Sequence, residues 1–151
     1  MYTRFRTQST HPDFQLLNNE LDADLALRNG ETNDFFAQFN TVQNIQHVVL
    51  IYRNNEIAAC GAFKPYDENS VEIKRMFVRH TFRGNGISKN VLQELQNWAK
   101  EIGYNKCVLE TGKAMPEAIG LYISSGFKVI PNYGQYAEIE SSICFENNLL
   151  L

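Results

Sequence analysis

The sequence predicts an α/β fold of the mixed (α+β) kind: one domain over residues 1–151, with a mixed, mostly antiparallel central sheet of about six to seven strands flanked by about four helices. Three observations predict it. Strand-like segments separated by turn signals fill residues 46–78. The apolar period then changes from two to 3.6 at Ile87, and helix and strand signals alternate from there onward. No repeat, low-complexity tract or Pro/Gly/Ser linker divides the chain.

The elements follow in order. A short strand is expected over residues 2–8, then a helix entered through Thr10 and Pro12, carrying Phe14, Leu17, Leu21 and Leu25, and ended by Asn29-Gly30. A second short helix is placed at residues 34–39. Residues 46–53 are rich in β-branched side chains, Asn54-Asn55 signals a tight turn, and residues 56–64 return as the other half of a hairpin. Residues 71–78 form the next strand. Ile87, Val91, Leu92, Leu95, Ala99 and Ile102 then mark one face of a helix that Gly103 stops. Residues 104–110 read as a buried strand, a helix from Pro116 runs to Gly126, and residues 127–130 and 137–145 read as the closing strands.

Composition removes several classes of function. A chain of 151 residues, 44% hydrophobic and 21% charged, is typical of one globular domain and buries roughly 68–70% of its unfolded surface. With 14 basic against 17 acidic residues, a net charge of -3 gives no excess of cations for phosphate neutralisation, so nucleic acid is not expected as a partner. No apolar leader or long apolar run is present, so the expectation is a cytoplasmic protein without a membrane span. Cys60, Cys107 and Cys144 are scattered in apolar stretches and are read as reduced, buried thiols. His11, His47 and His80 are equally dispersed, and no metal is expected.

The chemistry concentrates where residues 71–78 give way to the Ile87 helix. There, Arg83-Gly84-Asn85-Gly86-Ile87-Ser88 sets two glycines at the mouth of a helix. Glycines let backbone approach a ligand closely, and the unpaired amides and dipole of a first helical turn favour an anion. A Walker loop is absent, and the dinucleotide fingerprint fails because Lys89 stands where its third glycine belongs.

Arg83-x-x-Gly86-x-Ser88 resembles the pyrophosphate loop of the GNAT N-acetyltransferase superfamily, and Leu121-Tyr122-Ile123-Ser124-Ser125-Gly126-Phe127 is similar to a second segment of that family. The order of elements agrees over nearly the whole chain. The resemblance implies a GNAT-like fold and acetyl-CoA as cosubstrate, with the acetyl group passed to a primary amine of a small molecule or of a peptide or protein. A non-catalytic acyl-CoA-binding or sensing module is the alternative. By position, Met76, Phe77 and Val78 would line the pantetheine arm, with Met76 and Val78 holding it by backbone groups. Arg83, Gly84, Asn85, Gly86, Ile87 and Ser88 would cradle the diphosphate. Two departures stand out: Ser88 replaces a small Gly or Ala, and Met115 replaces an Asn that touches the cofactor in many relatives.

The same resemblance gives the Met76 N–H the thioester carbonyl, Tyr122 the proton for the departing thiolate, and Glu72 the role of candidate base. An ordinary phenol near 10 and a thiol near 8.5 differ by about 1.5 pKa units, roughly 2 kcal/mol, which a helix N-terminus or a positive neighbour would reduce. A carboxylate near 4.3 facing an alkylammonium near 10 is mismatched by roughly 8 kcal/mol. Glu72 would therefore need an adjusted acidity or a water relay, or would simply hold the ammonium until solvent takes its proton. Glu20, Asp22, Asp24, Glu31 and Asp34 are read either as a solvated face or as an acidic lip for cationic amines. Arg75 is a candidate for an acceptor carboxylate. Tyr133 and Tyr136 are read as walls of an acceptor pocket, as surface packing, or as contacts in a homodimer.

Overall fold

The computed structural model describes residues 1–30 and 44–150. Its strands are β1 (Tyr2–Thr7), β2 (His47–Arg53), β3 (Glu56–Pro65), β4 (Ser70–Val78), β5 (Lys106–Gly112), β6 (Lys128–Ile130) and β7 (Ser142–Asn148). Its described α-helices are α1 (Pro12–Asn29), α2 (Ile87–Glu101) and α3 (Pro116–Ser124). The strands make one seven-stranded mixed sheet in the order β1-β2-β3-β4-β5-β7-β6. The helix expected at residues 34–39 lies outside the described residues. Packing groups the chain into two compact units, Met1–Lys64 with Lys74–Leu95, and Pro65–Ile73 with Gln96–Leu151.

In the first unit, β1 and β2 pair antiparallel from Tyr2↔Arg53 to Thr7↔Val48, and β2 and β3 form the expected hairpin. Asn54 and Asn55 take left-handed backbone, φ 52 and 67, which Asn tolerates better than most residues and which matches the twist of the flanking strands. Phe14, Leu17 and Leu21 of α1 pack with Val48, Leu50, Ile57, Cys60, Ala62 and Phe77 into a core closed to water, each large side chain contributing about 1.5–3 kcal/mol by burial. Helix α1 is capped by His11, whose Nδ1 accepts from the Asp13 N–H at 3.1 Å, rather than by Thr10. Glycine has a packing role at Gly61 in β3. A Cβ there would lie 2.6 Å from Val91 Cγ1 and 2.9 Å from Leu95 Cδ1 of α2, and 2.7 Å from Met76 Sδ.

In the second unit, β5 pairs antiparallel with β7 along its length, and β6 adds a short edge against β7. The parallel ladder of β4 with β5 joins Ser70, Val71 and Glu72 to Lys106, Cys107 and Val108. Tyr122 of α3 packs against Phe127 and Phe145, ring centroids 5.7 and 5.8 Å away. Helix α3 is entered through Met115, whose side chain makes no cap hydrogen bond.

Two readings of the sequence are corrected here. The closing strand begins at Ser142 instead of residue 137, because Gly134–Tyr136 forms a 3-10 turn and the Asn132 amide donates to the carbonyls of Ile139 and Ser142. Ile102 lies beyond the end of α2 and is 45% exposed, whereas Ile87, Val91, Leu92, Leu95 and Ala99 are buried as expected.

Candidate active site

A 3-10 turn at His80–Phe82 follows β4, and Arg83 to Gly86 then lead into α2 as exposed residues, with Ile87 buried as the first core residue of the helix. Gly84 and Gly86 have φ 84 and 73, a conformation that any side chain would strain. A Cβ at either glycine would meet nothing within 4 Å. The glycines are therefore demanded by backbone shape and not by crowding from the rest of the protein. Asn85 closes the turn by donating to the carbonyls of Phe82 and Arg83 at 3.1 and 3.3 Å. The Arg83 Nε donates to the Val78 carbonyl at 2.9 Å, and its guanidinium lies 5.7 Å from the Phe77 ring. Exposed residues at a helix entrance, with open space beside both glycines, fit a diphosphate.

Strand β4 carries a left-handed residue, Arg75, at φ 60. The backbone there is anchored from two directions. The Cys60 thiol donates to the Arg75 carbonyl at 3.3 Å, and the Arg75 side chain reaches Asn18 Oδ1 at 2.9 Å and Asp22 Oδ1 at 2.7 Å on α1. This corrects the idea that Arg75 receives an acceptor carboxylate, since its guanidinium is buried against α1. Glu20 likewise holds Arg79 at 2.8 Å, and Asp24 pairs with Arg28. The described part of the acidic run is therefore committed to arginines, while Glu31 and Asp34 lie outside the described residues.

Glu72 is 3% exposed, and its Oε2 accepts from the Tyr133 hydroxyl at 2.7 Å. Tyr133 is edge-on to Tyr66 at 5.0 Å and to Tyr136 at 5.8 Å. The phenols of Tyr133 and Tyr136 are pushed up by burial first, with Glu72 adding to both. Of the open readings for this pair, the structure places Tyr133 on the Glu72 carboxylate and Tyr136 inside the unit.

Sequence reasoning missed Glu110 on β5, whose carboxylate accepts from the Ser142 hydroxyl at 2.6 Å. A lone acid directly after Cys107-Val108-Leu109 was the available signal. Its charge acts on Tyr122. Burial first, then Glu110, raise the Tyr122 phenol above its ordinary 10. The expected assistance from a helix N-terminus or a positive neighbour is therefore reversed, because Tyr122 sits near the end of α3 and beside an acid. Among the described residues no cluster of His, Cys, Asp or Glu is arranged to hold a metal, and no helix is long and apolar enough to cross a membrane.

The family model of the acetyltransferase (GNAT) family matches residues 11–127. The chain belongs to this family. Among curated relatives, an uncharacterized N-acetyltransferase of Bacillus subtilis, YsnE, is 33% identical over 100 residues, 65% of this chain and 66% of that protein. An IAA acetyltransferase of Azospirillum brasilense is 33% identical over 98 residues, 64% of each chain. A probable N-acetyltransferase 14 of Xenopus tropicalis is 35% identical over 82 residues, 54% of this chain and 40% of that protein. The chain thus spans two-fifths to just under two-thirds of the length of these relatives. The crystal structure of a putative acyl-CoA N-acyltransferase from Klebsiella pneumoniae superposes with a TM-score of 0.82 at 25% identity, covering 99% of this chain and 98% of that one. A GNAT acetyltransferase from Elizabethkingia anophelis, solved with acetyl-CoA bound, shares the fold with a TM-score of 0.72 at 21% identity over 97% of both chains. The GNAT match contains Glu72, Met76, the 83–88 turn and Tyr122, and stops before Tyr133.

Proposed function

We propose that the protein is an N-acetyltransferase that passes the acetyl group of acetyl-CoA to a primary amine of a small molecule or peptide. The observation that carries this reading is the exposed turn of residues 83–88, whose two left-handed glycines open backbone amides toward an anion. Acetyl-CoA supplies a thioester activated toward amines. Arg83, Gly84, Asn85, Gly86, Ile87 and Ser88 hold its diphosphate, and Met76, Phe77 and Val78 its pantetheine arm. In the transfer the acceptor ammonium first gives up a proton to solvent. The amine nitrogen then bonds to the carbonyl carbon, the carbon–sulfur bond breaks, and the thiolate takes a proton from Tyr122, while the nitrogen sheds its second proton as the amide forms and solvent returns a proton to the tyrosinate.

Glu72 binds the ammonium before it loses its proton. A buried carboxylate held by a phenol suits a cationic amine better than an amino acid recognised through its carboxylate, since the Arg75 side chain is buried and bonded to Asn18 and Asp22 of α1. The reaction belongs to a reducing compartment such as the cytoplasm, in keeping with three free, buried thiols.

The test is thiol release from acetyl-CoA across polyamines, aminosugars, aminoglycosides, amino acids and peptide N-termini, with calorimetry for coenzyme A alongside. Release with at least one amine is the expected result. Binding of coenzyme A without release for any amine would identify an acyl-CoA-binding module instead. Absence of any heat of binding would remove the reading altogether.

A further inference from the structure

The GNAT match ends at residue 127, yet a residue beyond it makes the 2.7 Å hydrogen bond to the Glu72 carboxylate. We propose that Tyr133 is a positioning residue for Glu72: its hydroxyl fixes the carboxylate orientation in which the acceptor ammonium is received. The proposal rests on the acetyl-transfer reading and on the role given there to Glu72.

Three observations carry it. A carboxylate 3% exposed is stable only when its oxygens are satisfied, and a short bond from a neutral hydroxyl to a charged oxygen is among the stronger ways to satisfy one. The donor is itself held in place. Tyr66 and Tyr136 meet its ring edge-on, at 69° and 89°, and the Tyr133 carbonyl accepts from the Tyr136 N–H at 2.9 Å. Gly134, at φ 53, turns the chain just after Tyr133, and Tyr66 Oη would lie 3.7 Å from a Cβ at that glycine. Finally, burial and the neighbouring carboxylate keep the phenol protonated at any pH at which the protein works, so Tyr133 acts as a fixed donor and does not itself accept the ammonium proton.

The same segment defeats a reading by sequence pattern, because the pair is 61 positions apart and joins a strand to an irregular turn. Nothing in local spacing reports it.

A double-mutant cycle tests the assignment. Tyr133→Phe, Glu72→Gln and the double variant are assayed by thiol release with the best amine of the panel, with melting temperature and coenzyme A affinity measured for each. Tyr133→Phe is expected to lower kcat/KM about tenfold to a hundredfold, mainly through KM for the amine, as loss of one hydrogen bond to a charged group predicts. Coenzyme A affinity should stay within about twofold. In the Glu72→Gln background the same change should alter kcat/KM by less than about twofold, because the group it positions is gone. Tyr133→His, which restores a donor, should recover activity over Tyr133→Phe only when Glu72 is present.

An active wild type whose kcat/KM is unchanged by Tyr133→Phe would overturn the proposal alone. So would equal losses with and without Glu72, which would assign Tyr133 to packing. If Tyr133→Phe does not fold, the His variant against Glu72→Gln reads the same coupling. A wild type that releases no thiol with any amine overturns the acetyl-transfer reading first, and this proposal with it.

Discussion

Replacing Tyr122 by Phe isolates one oxygen atom. The ring is 6% exposed and packs on Phe127 and Phe145 at 5.7 and 5.8 Å, contacts that phenylalanine keeps. Stability should therefore change by less than about 1 kcal/mol. Catalysis should not be so tolerant. A positioned general acid contributes about 10²–10⁴-fold, and an ordinary phenol already lies roughly 2 kcal/mol uphill of an ordinary thiol as a proton donor. Burial and Glu110 raise the phenol further, which moves the expected contribution to the low end of that range. We expect kcat to fall about 100-fold, equivalent to roughly 2.7 kcal/mol of barrier, with coenzyme A affinity within about twofold of wild type. Steady-state thiol release and calorimetry measure the two quantities. A kcat within about threefold of wild type would refute the assignment of Tyr122 as the acid. A large loss accompanied by a fall of many degrees in melting temperature would trace the effect to packing.

Two further outcomes follow from the core. Gly61→Ala should destabilise the fold by about 1–3 kcal/mol, since the added methyl must displace Val91, Met76 and Leu95 from positions 2.6–2.9 Å away; urea unfolding reads the shift. Burial pushes the Cys60 and Cys107 thiols from 9.0 up to about 12. Between those values the unfolded chain sheds protons that the folded chain retains, so the stabilisation is complete below about pH 9 and is lost as pH rises toward 12. The urea midpoint should accordingly fall between pH 8 and pH 10.5, and an unchanged midpoint would contradict the burial of these thiols.

Local signals were legible wherever one element decides its own shape. Asn54 and Asn55 announced the left-handed turn that they form. Ile87, Val91, Leu92, Leu95 and Ala99 announced the buried face of α2. The glycines of the 83–88 turn were readable because their role is conformational and belongs to the backbone alone. Readings failed where a distant partner decides. Ala137 and Ile139 alternate like a strand, yet Asn132 binds the Ile139 carbonyl and delays the strand to Ser142. Arg75 resembled a substrate anchor until Asn18 and Asp22, more than fifty positions away, were seen to hold it. Glu110 revealed its influence on Tyr122 only through three-dimensional proximity.

The left-handed kink at Arg75 also couples two ends of the first unit. The amide of the next residue, Met76, is the one that family resemblance assigns to the thioester carbonyl, and its direction is set by a peptide that α1 grips through a guanidinium and β3 through a thiol. Transition-state stabilisation by such an amide depends on tenths of an ångström. Should the Met76 amide have that role, α1 would be a lever on turnover, and damage at Asn18 or Asp22 would register as a slower enzyme before it registered as a less stable one.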